Sequence, residues 1–284
     1  MTNKKYDTRS VGLDVALKLT KWLTGAENLH YGYWEGLECN AGNVGAAQAA
    51  YTDRLFKLLP DKPCRILDIG GGAGETARKL IALGHQVEIV IPSAFLAGRC
   101  RENAPDAIVH ETTFEDAKVE GPFDVCLFSE SYQYIPQDQG LAKCLTLLAD
   151  DGHIIVADCF RSETFSPDSV LSTVGGGHEI KAFRDLIAST LVTATHEEDI
   201  TTHVAPSVDV EQGLFNVLGY AGQRFDIELT LKRPGVRRVL NWVMCRFMNP
   251  RKRARLDQRF NQQTRNSANF AANNTYLMMV LERS

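Results

Sequence analysis

The sequence lacks paired cysteine motifs. Its seven cysteines are scattered and show no C-x-x-C spacing, the pattern typical of zinc sites and redox motifs. We therefore expect free thiols, with neither a bound metal nor a disulfide framework. The cysteines are Cys39, Cys64, Cys100, Cys126, Cys144, Cys159 and Cys245.

Long apolar runs are also missing. No stretch approaches the roughly 20 apolar residues that a membrane-spanning helix needs, and residues 1–7 are predominantly polar. We expect neither a signal peptide nor a membrane anchor, and we expect the protein to be cytoplasmic. The net charge of −4 gives no general attraction to nucleic acid, so a nucleic-acid partner is not expected. The 44% hydrophobic content over 284 residues suits one α/β domain with an appended cap.

The most informative segment is a glycine-rich turn within residues 65–74. A strand is predicted at its start and Asp68 lies near the strand's end, while a helix follows over residues 75–83 and a second strand over residues 85–91. This β-α-β unit brings backbone close to a ligand at the carboxyl edge of a parallel sheet. The glycines that permit such an approach are Gly70, Gly71, Gly72 and Gly74.

The glycine spacing argues against a dinucleotide. The G-x-G-x-x-G pattern fails because Ala73 and Glu75 occupy positions where glycine is required, and a carboxylate at the helix start would repel a pyrophosphate. The remaining pattern, Asp-x-Gly-x-Gly-x-Gly, resembles motif I of the class I S-adenosylmethionine-dependent methyltransferases. A glycine turn alone also fits a structural loop, so the interpretation depends on the motifs that follow.

Four ordered motifs within residues 65–160 carry the resemblance. After the glycine turn, residues 113–116 follow a predicted third strand and resemble the adenine-contacting segment of the family. Residues 122–130 resemble the family's fourth strand, with Ser129 and Glu130 at its edge. The last match is a predicted helix, turn and fifth strand at residues 141–149, 150–152 and 153–158.

The resemblance implies a fold and a function. We expect an α/β fold, namely a Rossmann-like, doubly wound, seven-stranded sheet with the last strand antiparallel, plus a helical lid insertion. The implied function is transfer of a methyl group from S-adenosylmethionine to an oxygen, nitrogen or carbon atom of a small-molecule or lipid-like acceptor. The alternative is a non-catalytic cofactor-binding scaffold or regulatory subunit. The expected divisions are an N-terminal cap over residues 1–50, a cofactor-binding core over 51–160, an acceptor-binding lid over 161–269 and a final strand over 270–284.

An aromatic segment precedes the core. Residues 30–36 resemble the segment that closes over the methionine end of the cofactor in small-molecule methyltransferases near the cyclopropane-fatty-acid-synthase and tocopherol-type branches. Its two glycines disfavour a helix, because each costs roughly 1 kcal/mol inside one. The alternative is an aromatic cluster that packs an N-terminal helix onto the domain. The cofactor contacts implied by the resemblance are Tyr31, Tyr33, Asp68, Gly70, Gly71, Gly72, Ser93, Phe114, Glu115 and Ser129.

The candidates for acid–base catalysis are His178, Tyr33 and Glu130. His178 follows three glycines at residues 175–177 that would let a loop fold over the site, and histidine titrates near neutral pH. A base is not obligatory, because the sulfonium already activates the methyl group and alignment in a water-poor site supplies much of the rate. Ile91 departs from the family, since it stands where a polar ribose-binding residue is expected.

Basic residues concentrate between residues 232 and 265. Eleven lysines and arginines accompany a single acid, Asp257, and apolar residues recur among them at helical spacing. One interpretation is a cap helix packed on the core with a solvated basic face. The other is a docking surface for an anionic partner such as a phospholipid membrane surface, a carrier protein or an acidic metabolite.

Overall fold

A computed structural model describes residues 8–165, 176–261 and 264–284. The strands are β1 (Arg65–Ile69), β2 (Gln86–Val90), β3 (Ile108–His110), β4 (Phe123–Ser129), β5 (Leu148–Arg161), β6 (Val192–Asp199) and β7 (Asn274–Arg283). The helices are α1 (Thr8–Thr24), α2 (Val44–Phe56), α3 (Glu75–Ala82), α4 (Ala94–Asn103), α5 (Gln137–Leu147), α6 (Ile180–Ser189), α7 (Thr201–Val204), α8 (Pro206–Lys232), α9 (Pro234–Phe247), α10 (Pro250–Asn261) and α11 (Ser267–Asn273).

The strands form one sheet in the order β3-β2-β1-β4-β5-β7-β6. The strands β1 to β5 pair in parallel, and β7 runs antiparallel to both β5 and β6. This confirms the predicted seven-stranded fold with an antiparallel last strand. The strand order reverses between β1 and β4, and such a switch point leaves a crevice at the carboxyl ends of the strands, where ligands bind in open α/β sheets.

The sheet is buried on both faces. Ile66 of β1 belongs to the same hydrophobic cluster as Leu80 of α3 on one face. Its neighbour Leu67 belongs to a second cluster with Leu141 of α5 on the other face. Burial on both faces explains why the central strands appear in the sequence as continuous apolar runs rather than alternating ones.

Part of the predicted lid belongs to the sheet. Both α6 and β6 lie inside the range 161–269, and β6 pairs with β7 at the edge. The long helical insertion between the strands β6 and β7 therefore begins after Asp199. β6 has little apolar alternation because most of its side chains are exposed or half-buried.

The predicted boundary at residue 270 is also displaced, since residues 270–273 end α11 and β7 begins at Asn274.

Helices α8, α9 and α10 form what we call the helical arm. Pro234 and Pro250 each open a new helix, a position where the missing N–H of proline has no helical partner to lose. α8 contacts both α9 and α10, but α9 has no buried residue. A cap helix packed on the core is therefore the wrong description of α9. None of the helices in the described ranges combines the length and apolarity that a membrane span requires.

Candidate active site

A cavity of about 970 Å³ lies at the carboxyl ends of β1, β2 and β4. This position includes the crevice between β1 and β4. The volume stands at the upper end of the roughly 300–1,000 Å³ typical of small-molecule sites, which leaves room for more than one ligand. The predicted site residues that line the cavity are Asp68, Gly70, Gly71, Gly72, Ser93, Phe114, Ser129 and Glu130.

The glycines of the turn have two different roles. A Cβ on Gly70 would collide with Ser131, and one on Gly71 would stand 2.6 Å from Oδ2 of Asp68. These two positions are therefore fixed by packing. Gly72 has a φ of +55°, and an added Cβ there would meet no atom within 4 Å, although the residue lines the cavity. Gly72 is thus where the backbone of the turn leaves open space for a ligand.

Asp68 lines the cavity and carries an oxygen without a hydrogen-bond partner in the described ranges. The residue is buried, and its Oδ2 has no hydrogen-bond partner among the described residues. Burial raises the pKa of this carboxyl to about 7. Because a buried polar atom without a partner is costly, a ligand that donates a hydrogen bond to Asp68 would be stabilised here.

Glu130 follows β4 with a φ of +56°, a left-handed conformation that non-glycine residues rarely adopt. Its Oε1 accepts hydrogen bonds from the Tyr31 N–H at 2.7 Å and from the Tyr276 hydroxyl at 2.9 Å. Burial raises the pKa of the carboxyl to about 8, although both hydrogen bonds oppose the rise. Since Oε1 is occupied and Oε2 has no partner in the described part of the chain, Oε2 is the oxygen available to exchange a proton with a ligand.

Two tyrosines that the sequence analysis did not select support Glu130. The hydroxyl of Tyr276, from β7, lies 2.7 Å from that of Tyr51, from α2, and the Tyr51 hydroxyl lies 3.3 Å from Oγ of Ser129. Both rings are fully buried, and hydrogen bonds are electrostatically stronger in such a low-dielectric environment. No local motif marks these tyrosines, because they come from segments far from β4 in the sequence.

Residues 27–34, which we call the strap, connect the cavity with the helical arm. The first half of the strap lines the cavity, and its Glu27 N–H donates to Glu75 of α3 at 3.1 Å. In the second half, the Gly32 N–H and the Trp34 indole donate to Oγ of Ser207 at 2.9 and 2.8 Å. The aromatic segment is therefore tied to α8 as well as to the core.

Two titratable residues of the strap have shifted pKa values. Burial pushes the pKa of Glu27 upward, but hydrogen bonds from Asn103, Arg99 and Lys21 outweigh it and bring the pKa to about 2. Burial lowers the pKa of His30 to about 4. At neutral pH, Glu27 is thus ionised within an ion-paired cluster and His30 is neutral. Glu27 belongs to no motif, and only its proximity to the aromatic segment could have suggested it. His30 begins that segment but was not among the predicted contacts.

Tyr33 and His178 do not line the cavity. The Tyr33 hydroxyl donates to Glu35 at 2.9 Å, and its ring packs on His203. Nε2 of His178 lies 2.8 Å from the carbonyl oxygen of Ile135, so this nitrogen donates its proton to the loop after β4. The catalytic roles predicted for Tyr33 and His178 do not match these positions, because both side chains are engaged in structural contacts.

Two predicted cofactor contacts also lie elsewhere. The Tyr31 ring packs against Phe270, and only its backbone N–H reaches the site. The Glu115 side chain is exposed, whereas its neighbour Phe114 is buried and lines the cavity. Gly175, one of the three glycines predicted to act as a hinge, lies outside the described residues.

The polar side chain expected at the end of β2 is absent there. Val90 and Ile91 line the cavity with apolar side chains. Ser93 also lines it, and its Oγ accepts the Leu96 N–H at 3.4 Å as the N-cap of α4. That hydroxyl keeps its own proton free to donate, so Ser93 is the polar group that β2 offers to a ligand.

The cavity is acidic. Its charged lining residues in the described ranges are Glu27, Asp68, Glu75 and Glu130, with no lysine or arginine among them. No group of three or more histidine, cysteine, aspartate or glutamate side chains in the same ranges could hold a metal ion. Lys21 and Arg99 pair with Glu27, and Arg78 pairs with Glu75, but no lysine or arginine of the described ranges lines the cavity itself. An anionic ligand would therefore find no cationic partner there, which favours ligands that are cationic or neutral.

Comparisons with known proteins agree with this geometry. A family profile described as a methyltransferase domain matches residues 43–196, which is more than half of the chain. An uncharacterized methyltransferase from Staphylococcus carnosus (strain TM300) is 26% identical over 124 residues. That match covers 42% of this chain, and the chain spans only 59% of the length of that relative.

Solved structures share the fold over nearly the whole chain. The cyclopropane synthase MmaA2 from Mycobacterium tuberculosis has a TM-score of 0.69 and 15% identity, covering 98% of this chain and 99% of that one. A geranyl diphosphate C-methyltransferase from Streptomyces coelicolor A3(2), solved with Mg²⁺, geranyl-S-thiolodiphosphate and S-adenosyl-L-homocysteine, has a TM-score of 0.64 and 11% identity, covering 96% of this chain and 92% of that one. At these identities the likeness concerns the fold alone.

Proposed function

This chain belongs to the methyltransferase domain family, whose cofactor is S-adenosylmethionine, and we propose that it methylates an oxygen, nitrogen or carbon atom of a small-molecule or lipid-like acceptor. One observation carries the proposal. A single cavity joins the open glycine turn at Gly72 to the buried carboxyl of Glu130. A ligand held at the turn and an acceptor beside Glu130 would therefore share one cavity.

The residues present fit the cofactor. Gly72 leaves space for a ligand beside the backbone, and Oδ2 of Asp68 lacks the donor that an ammonium or hydroxyl group provides. The acidic lining suits a ligand that carries a sulfonium and an ammonium group. When bound, S-adenosylmethionine supplies a methyl group that its positively charged sulfur activates for transfer.

Glu130 is our candidate for the general base. Its Oε1 is held by Tyr31 and Tyr276, which fixes the carboxyl and leaves Oε2 for the acceptor. Oε2 takes the proton that the acceptor atom loses as it gains the methyl group. A base with a pKa of about 8 is well matched to this task near neutral pH, since it binds the proton without holding it too tightly.

The lining also restricts the acceptor. An anionic group entering the cavity would meet carboxylates and no cation among the described lining residues, so burial of its charge would go uncompensated. We therefore infer that the part of the acceptor inside the cavity is neutral or cationic. A diphosphate such as the one bound by the Streptomyces enzyme would be disfavoured in this chain.

Isotope transfer from the labelled cofactor tests this function. The purified chain would be incubated with S-adenosylmethionine carrying a labelled methyl group and with separate pools of neutral, cationic and anionic metabolites, and products would be detected by mass spectrometry. We expect label in the neutral or cationic pools, loss of transfer in Glu130→Gln, and normal transfer in the control Glu115→Gln, whose side chain is exposed outside the cavity. Cofactor binding without transfer in any pool would contradict the proposal and favour a scaffold.

A further inference from the structure

Helix α9 presents an apolar face to solvent. Val236, Val239, Leu240, Val243 and Phe247 recur at the spacing of one helix face. All five side chains are exposed, Phe247 by 77%. Large apolar side chains clustered on a surface usually mark an interaction site rather than a neutral part of the fold.

The same helix carries uncompensated positive charge. It contains three arginines and no acidic residue. Arg237 pairs with Asp226 of α8 at 2.7 Å, which ties the two helices together. Arg238 and Arg246, together with Arg233 just before the helix, are exposed and make no ion pair within the described ranges. The positive charge of these arginines is therefore available to a partner.

Three other basic residues of the arm and the segment after it are paired. Lys232 pairs with Glu228 at 2.6 Å, and Arg259 and Arg265 both pair with Glu211, at 2.6 and 2.8 Å. These basic groups are neutralised within the protein. Lys252 of α10 is also exposed without an ion pair in the described ranges, so free positive charge lies on α9 and at the start of α10, although the chain as a whole has a net charge of −4.

We propose that α9 binds the surface of a lipid bilayer containing anionic phospholipids. Its aliphatic side chains and Phe247 would enter the boundary between headgroups and acyl chains. The charges of Arg233, Arg238 and Arg246 would lie within about a Debye length of the surface and attract its anionic headgroups. Trp242, which is 67% exposed, would lie at headgroup level, where tryptophan is enriched. A short amphipathic helix with arginines on its polar side and phenylalanine and tryptophan among its apolar residues is typical of proteins that lie on a membrane.

A second copy of the chain fits this surface less well. Another apolar helix face in the described ranges belongs to α1, which exposes Val11, Val15 and Trp22. Its sequence carries three basic residues and one acid. Two basic helices would repel each other, whereas an anionic bilayer complements α9 in both charge and apolarity.

Vesicle co-sedimentation with the full chain tests the proposal, which does not depend on methyl transfer. Phosphatidylcholine vesicles with and without phosphatidylserine serve as probes. We expect binding only to vesicles that contain phosphatidylserine, with strong weakening by added salt. Neutralising one arginine should weaken binding about fivefold, and the triple variant Arg233→Gln, Arg238→Gln, Arg246→Gln about a hundredfold.

Matched controls separate α9 from the rest of the surface. Trp242→Ser should weaken vesicle binding, whereas Trp22→Ser, which removes an 81% exposed tryptophan on α1, should not. Arg101→Gln on α4 is the control for the arginines. Circular dichroism would establish that each variant is folded. Three results would overturn the proposal. They are equal binding to both vesicle types, no vesicle binding at all, and a concentration-dependent dimer that the α9 variants abolish while vesicle binding is absent.

Discussion

Substitution of Glu130 by glutamine tests the proposed base with little change in shape. The amide oxygen of glutamine can accept the same two hydrogen bonds that Oε1 receives from Tyr31 and Tyr276. The change therefore removes the proton-accepting ability and leaves the support intact. We expect Glu130→Gln to fold and to bind the cofactor.

The kinetic consequence follows from the role of a positioned base. General base catalysis typically contributes about 10²- to 10⁴-fold, so we expect kcat to fall by about that factor in Glu130→Gln. In the wild type, kcat/KM should rise with pH as the carboxyl ionises, with an apparent pKa near 8. The variant should show no such rise. Rates measured from pH 6 to pH 9 with a confirmed acceptor would reveal both effects.

The same carboxyl should also affect stability. Its pKa in the folded protein is about 8, above the ordinary 4.5, so the folded state binds the proton more tightly than the unfolded chain. The stability that the protonated carboxyl contributes to the folded state is fully present below about pH 4.5. It is lost as the pH rises to about 8, at a rate of at most about 1.4 kcal/mol per pH unit. Denaturant unfolding across this pH range should show that the free energy of unfolding falls less steeply with pH in Glu130→Gln than in the wild type. An identical slope in variant and wild type, or an unchanged rate, would refute the assignment of Glu130.

Three further substitutions address its surroundings. Tyr276→Phe removes a hydrogen bond that lowers the pKa of Glu130, so the rise of kcat/KM should move to higher pH, and an unmoved profile would count against the link. Phe114→Ala should raise the KM for the cofactor more than it lowers kcat, the pattern of lost uniform binding, and an unaltered KM would exclude the predicted adenine contact. Ser207→Ala removes bonds to the strap worth about 0.5–1.5 kcal/mol each, and faster amide hydrogen exchange in the strap is expected. Unchanged exchange would mean that α8 does not hold it.

Local sequence patterns predicted several residues that line the cavity, because those residues are adjacent in the chain. Asp68 and Gly72 stand at the end of one strand and the start of one helix, and the spacing that defines their roles spans only a few residues. Glu130 was predictable for a similar reason, since it follows directly after an apolar strand. The role of Gly70 was less predictable, because Ser131, whose side chain would collide with a Cβ there, is brought to the turn by folding.

Contacts between distant segments could not be predicted in this way. Tyr51 and Tyr276 meet Glu130 through α2 and β7, and no spacing rule relates these positions. For His178, a local pattern suggested a role that the folded structure does not match. Glycines before a histidine suggested a mobile catalytic loop, yet an added Cβ on the described Gly177 would stand 2.6 Å from the Cys159 carbonyl oxygen. The backbone at Gly177 is therefore packed closely against β5, and the imidazole is used to hold a neighbouring loop.

Calorimetric titration with S-adenosylhomocysteine tests most directly whether the cofactor occupies the cavity at Gly72. The wild type would be compared with Gly72→Ala and with the matched control Gly36→Ala. Both glycines have positive φ and open space around an added Cβ, but only Gly72 lines the cavity. We predict binding by the wild type in the presence of a chelator, unchanged binding by Gly36→Ala, and affinity at least about tenfold weaker in Gly72→Ala, equivalent to about 1.4 kcal/mol. Equal affinity in all three proteins, or no binding by the wild type, would contradict the account.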